Sequence, residues 1–168
     1  MFVQIISLFP YTLVLGSNVR NRDDFRKKEA LKNFSMETRI KREESLKTLR
    51  GGDTKDEIRE LVLEGEIGAY AWAETILGNK KGNKELIFDC LVKEFNKSRD
   101  DSDNARKTLD ADPTKTEQKH KKGLLIQMHR AIGRGYAYSD LLRAFVKEYP
   151  DYKSKLPTNF PVEINEVE

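Results

Sequence analysis

The sequence holds a single cysteine, Cys90, and only two histidines, His120 and His129, among 168 residues. An intramolecular disulfide is therefore excluded. The histidines are nine positions apart, which on one helix sets them on opposite faces and about 13 Å apart along the axis, too far to share a metal ion. Cys90 falls among Leu86, Ile87 and Leu91 and reads as a buried thiol suited to a reducing compartment. No apolar run reaches the roughly 20 residues that span a bilayer. Net charge is nearly absent as well, because 31 Lys/Arg against 28 Asp/Glu leave only +3, a balance that speaks for solubility more than for any partner.

The usual signatures of chemistry are missing too. Gly78-Asn79-Lys80-Lys81-Gly82-Asn83-Lys84 is one residue short of a phosphate loop and lacks the Ser/Thr that would hold magnesium, so it reads as a turn between helices. Asp101, Asp103 and Asp112 share three positions of a calcium loop, but Ala105 and Arg106 occupy its fifth and sixth, where a ligand and a glycine are needed. No metal site, no cofactor and no small-molecule substrate is identified. An enzyme ranks third among the function classes, because no convergent nucleophile, base and charge stabiliser can be placed.

What is present is helical periodicity. Asp112-Pro113 marks a helix start, and Leu124, Leu125, Met128, Ala131 and Ile132 recur at three- and four-residue spacing, an apolar stripe for burial. Gly133-Arg134-Gly135 is expected to end this helix in a sharp turn. Ser139 is expected to cap the next, whose Leu141, Leu142, Phe145, Val146 and Tyr149 form a second stripe ending before Pro150.

Upstream, Arg22 to Leu49 reads as a strongly charged helix with a thin apolar seam of Phe25, Leu31, Phe34 and Ile40. Arg20 to Lys55 carries twelve Lys/Arg against seven Asp/Glu, and a solvated face laced with short-range ion pairs accounts for it better than a ligand surface. After Gly51-Gly52, Thr54 to Glu57 fits a capping box, and Ile58, Leu61 and Val62 open a new stripe. Gly65 and Gly68 are expected to interrupt it before Ala69, Trp72, Ala73, Ile76 and Leu77 resume, with Trp72 as a core anchor. Asn83 caps a helix carrying Leu86, Ile87, Cys90, Leu91 and Phe95. Ser98 to Ala111, polar and rich in aspartate, reads as a mobile link.

The first sixteen residues leave alternatives open. Val3, Ile5, Ile6, Thr12 and Val14 are β-branched and favour a strand or hairpin around Pro10. A signal or membrane anchor is the competing reading, although no basic residue precedes the apolar run, and disorder is the third. Membrane contact through residues 1–16 stays open.

The expected fold is mainly α, a small helical domain of about five helices with a short N-terminal β element. Its parts are an apolar N-terminal segment (1–18), a charged helix (19–52), a helical core (53–150, linked at 98–111) and an extended acidic tail (151–168) that carries Glu163, Glu166 and Glu168.

Gly135-Tyr136-Ala137-Tyr138-Ser139, between one helix and Leu141-Leu142, resembles the first turn of a helix-turn-helix of the kind found in small mobile-element regulators, over about twenty residues. That motif sends a third, recognition helix into the major groove. Pro150, Pro157 and Pro161 disfavour such a helix here, and a plain helical hairpin is the preferred reading. The leading function is a small cytoplasmic accessory or regulatory protein that associates with DNA or RNA through phosphate contacts from Lys115, Lys119, Lys121, Lys122, Arg130 and Arg134. The alternative is a protein-binding adaptor or inhibitor that uses the same charged surface or Tyr136 and Tyr138.

Overall fold

The computed structural model describes residues 12–51, 56–79, 83–111 and 118–161. They form α1 (Thr12–Arg50), α2 (Glu57–Asn79), α3 (Lys84–Ala111) and α4 (Gln118–Glu148), followed by a short 3-10 helix, Pro150–Lys155. No strand occurs among the described residues. The expectation of a small, mainly helical domain holds. In the expected β element, Thr12 and Val14 belong instead to the first turn of α1. Strand propensity is a weak preference, and each residue added to an existing helix gains a backbone hydrogen bond. Residues 1–11 lie outside the described residues, as do Asp112-Pro113 and Thr54.

Two helix starts are side-chain capped. Asn83 Oδ1 accepts from the Leu86 N–H at 3.1 Å, as its spacing predicts. For α2 the cap is Asp56, whose Oδ1 accepts from the Ile58 N–H at 3.0 Å, two residues beyond the expected Thr54. At the other end of α1, the Gly51 N–H closes the last turn on Lys47 O at 2.9 Å.

The glycine turn expected at Gly133-Arg134-Gly135 does not exist, because α4 runs unbroken from Gln118 to Glu148. Ser139 is therefore interior to a helix, not a cap. Gly65 and Gly68 likewise leave α2 continuous. At two of these glycines the missing side chain serves packing. A Cβ on Gly133 would overlap the Val62 carbonyl of α2, and one on Gly65 would overlap the Arg130 carbonyl of α4. Glycine here lets two backbones touch, a gain that exceeds its modest helix penalty.

Residues 98–111, read as a link, are the second half of α3. Their polar side chains are satisfied within the helix: the Ser98, Ser102 and Thr108 hydroxyls donate to the carbonyls of Phe95, Arg99 and Asn104 at 2.7, 2.9 and 2.8 Å. Ser98 and Ala105 are buried, so a small-residue face holds the segment in the bundle. The expected extended tail is also corrected in its first part. The 3-10 helix buries Tyr152, and the chain beyond it returns to the core through Phe160. Residues 162–168 lie outside the described residues.

At the centre of the core stands Phe145, fully buried. Its ring meets Phe34 of α1 at 5.4 Å, Phe88 of α3 at 5.5 Å, and Tyr149 and Tyr152 at 4.7 and 5.4 Å, the edge-to-face and tilted spacing that aromatic quadrupoles favour. Trp72 is partly buried, edge-on to Tyr138 at 5.6 Å. Phe95 is buried as its stripe predicts, and Val146 is partly so. Leu125 is 42% exposed, because on an unbroken helix it falls about 160–200° around from the buried Leu141 and Phe145. Ile40 of the α1 seam is exposed and Cys90 is half-buried rather than buried. Among its described side chains α1 buries Phe34 and Thr38, and polar bonds continue its attachment: Lys41 to Asp140 at 3.3 Å, Arg42 to Glu74 at 2.6 Å and Ser45 to Glu66 at 3.3 Å.

Candidate docking groove and the basic positions

Of the six expected phosphate contacts, four have side chains among the described residues: Lys121, Lys122, Arg130 and Arg134. Lys115 lies outside the described residues, and Lys119 sits in the first turn of α4 with its side chain outside them. Lys122 is exposed, whereas Lys121 is half-buried and has an interaction partner. Arg130 reaches across to Glu64 of α2, with its two nitrogens 2.9 and 2.7 Å from one carboxylate oxygen. Arg134 reaches Asp101 of α3 at 3.0 Å. Both arginines therefore carry a carboxylate partner that phosphate would have to displace.

The two tyrosines part ways. Tyr136 is 60% exposed. Tyr138, two residues on and so about 200° around the helix, is buried against Trp72 and unavailable to a partner. Burial raises the Tyr138 hydroxyl well above the ordinary phenol range, with Glu94 adding to the effect.

Tyr136 belongs to a groove of 740 Å³ between α3 and α4, closed at one end by the C-terminal segment. From α3 come Phe95, Ser98, Arg99 and Ser102, spaced along one face. The α4 wall comprises Ala131, Ile132, Gly135, Tyr136, Ser139, Asp140 and Arg143; Asn159 and Pro161 supply the end, and Glu66 of α2 joins them. Small residues along α4 bring α3 close: a Cβ on Gly135 would stand 3.4 Å from Ser98 Oγ. The end is held by two arginines. Arg99 donates to Asn159 O at 3.0 Å and Arg143 to Pro161 O at 3.2 Å, while Phe160 lies against Phe95 with ring centroids 5.4 Å apart.

One polar group in this wall is unsatisfied. Ser139 is buried, and its Oγ has no hydrogen-bond partner among the described residues. A buried hydroxyl left in that state costs about 1–3 kcal/mol. Nearby, Asp140 accepts from Lys41 at one oxygen and from Arg143 at the other, at 3.3 and 3.1 Å. Burial raises the Glu66 carboxyl, against a bond from Ser45, and the Asp140 charge adds to the rise. Burial likewise raises the Tyr70 hydroxyl, with Asp140 and Glu66 contributing.

No protein-family model, curated protein or solved structure matches the chain. The reading of the site therefore rests on geometry and chemistry alone. Among the described residues, no group of three or more His, Cys, Asp or Glu side chains is placed to hold a metal ion, and no helix is long and apolar enough to cross a membrane. The helix-turn-helix resemblance loses its turn, since residues 135–139 are mid-helix.

Phe95, Ala131 and Ile132 are legible in the sequence as stripe residues, but apart from Tyr136 no groove residue reads there as a binding residue. Arg99 and Ser102 stand in the stretch read as a link, and Ser139 and Asp140 at an expected cap. Only the pairing of α3 with an unbroken α4 brings them together.

Proposed function

We propose that the chain is a small helical adaptor or regulatory protein that binds a segment of another protein in the α3–α4 groove, with Tyr136 as the anchoring aromatic. The observation that carries this reading is a groove of ligand-sized volume with an exposed Tyr136 in its wall. A tyrosine offers apolar area and a polar tip at low entropic cost, which is why it recurs at interface centres. The groove runs between two helices and mixes apolar Phe95, Ala131 and Ile132 with polar Ser102, Asp140 and Arg143, a setting in which an amphipathic helix can dock. Nucleic-acid association is the weaker reading, since Arg130 and Arg134 already hold Glu64 and Asp101.

A photo-reactive phenylalanine analogue placed at position 136, and separately at Lys122, tests the choice in cell extract with and without nuclease. Nuclease-resistant protein adducts formed from position 136, and lost when Ile132 and Gly135 are enlarged to fill the groove, support the adaptor. Nuclease-sensitive adducts from position 122 alone would transfer the assignment to nucleic acid.

A further inference from the structure

Among the described residues, four arginines are half-buried: Arg42, Arg99, Arg134 and Arg143. Arg42 pairs with Glu74, Arg134 with Asp101 and Arg143 with Asp140. Arg99 has no carboxylate partner among the described residues. Its one bond among them is from Nη1 to the Asn159 carbonyl, and its guanidinium lies over the Phe95 ring, 5.9 Å from the centroid. The planar group carries five N–H donors, so most remain available, and stacking on Phe95 with an anchor at Asn159 restricts its orientation beforehand. Arg99 lines the groove.

We infer that Arg99 is the recognition point for a carboxylate side chain of the docked partner, so that the segment bound in the groove is an acidic amphipathic one. This rests on the docking reading above. The fork of a guanidinium matches a carboxylate bidentately, and charge-assisted bonds of this kind are about twice as strong as neutral ones. Asp140 in the facing wall is already shared between Lys41 and Arg143, and its charge favours orienting the acidic residue toward Arg99. Arg99 therefore sets direction as well as affinity.

The test uses the full chain and two capped synthetic peptides, acetyl-Leu-Glu-Leu-Leu-amide and its Gln analogue, followed by ¹⁵N resonances of the Arg99 side chain and the groove backbone. The Glu peptide is expected to bind about 10-fold more tightly than the Gln peptide, the equivalent of one charge-assisted bond at about 1.4 kcal/mol. Arg99→Gln is expected to erase the difference, and Arg99→Lys to restore part of it. Equal binding of both peptides, with Tyr136→Ala weakening both, overturns the carboxylate inference and leaves the groove intact. Shifts at no groove resonance with either peptide overturn the docking reading too. If replacing Glu163, Glu166 and Glu168 together by Gln moves the Arg99 resonance with no peptide added, the carboxylate comes from the chain's own C-terminal residues, and the inference of an acidic partner is overturned. Stronger competition by inorganic phosphate than by acetate would overturn it in favour of a phosphate ligand.

Discussion

Gly133 of α4 lies directly against the backbone carbonyl of Val62 in α2, with no room for a Cβ between them. Gly65 makes the reciprocal approach to Arg130. Two helices meet there backbone to backbone, which ties the position of α4 to that of α2.

Glycine substitutions should therefore split by sign. Gly133→Ala and Gly65→Ala are expected to destabilise by about 2 kcal/mol or more, since the obstructing atoms are backbone and the helices must separate. Gly68→Ala and Gly123→Ala, where an added Cβ meets nothing within 4 Å, should stabilise by about 0.5–1 kcal/mol through helix propensity. Urea midpoints at constant slope would show it; a common sign for all four variants would contradict the crossing.

Phe145→Ala should cost about 3–5 kcal/mol, because the cavity would open among Phe34, Phe88, Tyr149 and Tyr152. Leu125→Ala should stay within about 0.5 kcal/mol at an exposed position. A comparable loss at Leu125 would mean that it is covered in solution.

Alkaline pH should unfold the protein earlier than an ordinary helical domain. Tyr70 and Tyr138 both have hydroxyl pKa values raised in the folded state, so the unfolded chain releases its phenol protons first. The stability tied to these protons is complete below the free phenol pKa of about 10 and is lost as pH rises through the folded values. Tyr138→Phe should remove part of this dependence, visible as a flatter thermal midpoint against pH. An unchanged profile in Tyr138→Phe and Tyr70→Phe would refute the cause.

Glu66 carries the same sign at the acid end. Its raised pKa means that its favourable contribution is present below the ordinary carboxylate range and is lost as pH climbs through the folded value. Glu66→Gln should thus hold or gain stability at neutral pH, provided that the amide keeps the bond from Ser45. A clear loss at neutral pH, with the acid limb unaltered, would show that the carboxylate is held by charge rather than resisted by burial.

Replacing Lys119, Lys121 and Lys122 together by Gln should leave groove binding unchanged. If nucleic acid is the true partner, the same triple variant should instead reduce the slope of log affinity against log salt by up to about 2–3 units.

Helical periodicity was legible in the residues themselves: the Asn83 cap, Ile87, Leu91 and Phe95 of the α3 stripe and the Leu141-Leu142-Phe145 face all stand where their spacing predicts, whereas Leu86 of the same stripe is exposed. Glycine was the failure. At Gly65 and Gly133 it reads locally as a breaker, and its reason lies on another helix about seventy residues away in sequence, which no local rule can see. Ser98 to Ala111 misled in a different way, because Ser and Thr that favour loops can also donate back to their own helix. The groove was hidden for both reasons at once, since it needs α3 to reach past Ser98 and α4 to pass straight through Gly133 and Gly135.

An unbroken α4 also makes a ruler. Lys122, His129, Tyr136 and Arg143 recur every seven residues, and on one continuous helix that period keeps them within a narrow stripe, drifting only about 20° per heptad. Lys122 and Tyr136 are thereby separated by about 21 Å of axial rise, a distance that a hinge at Gly133 would have left adjustable. A ligand with an apolar anchor and an anionic group at that separation could engage both ends at once. Its second contact would form at an effective concentration set by the linker's length, falling away for linkers shorter or longer than the span.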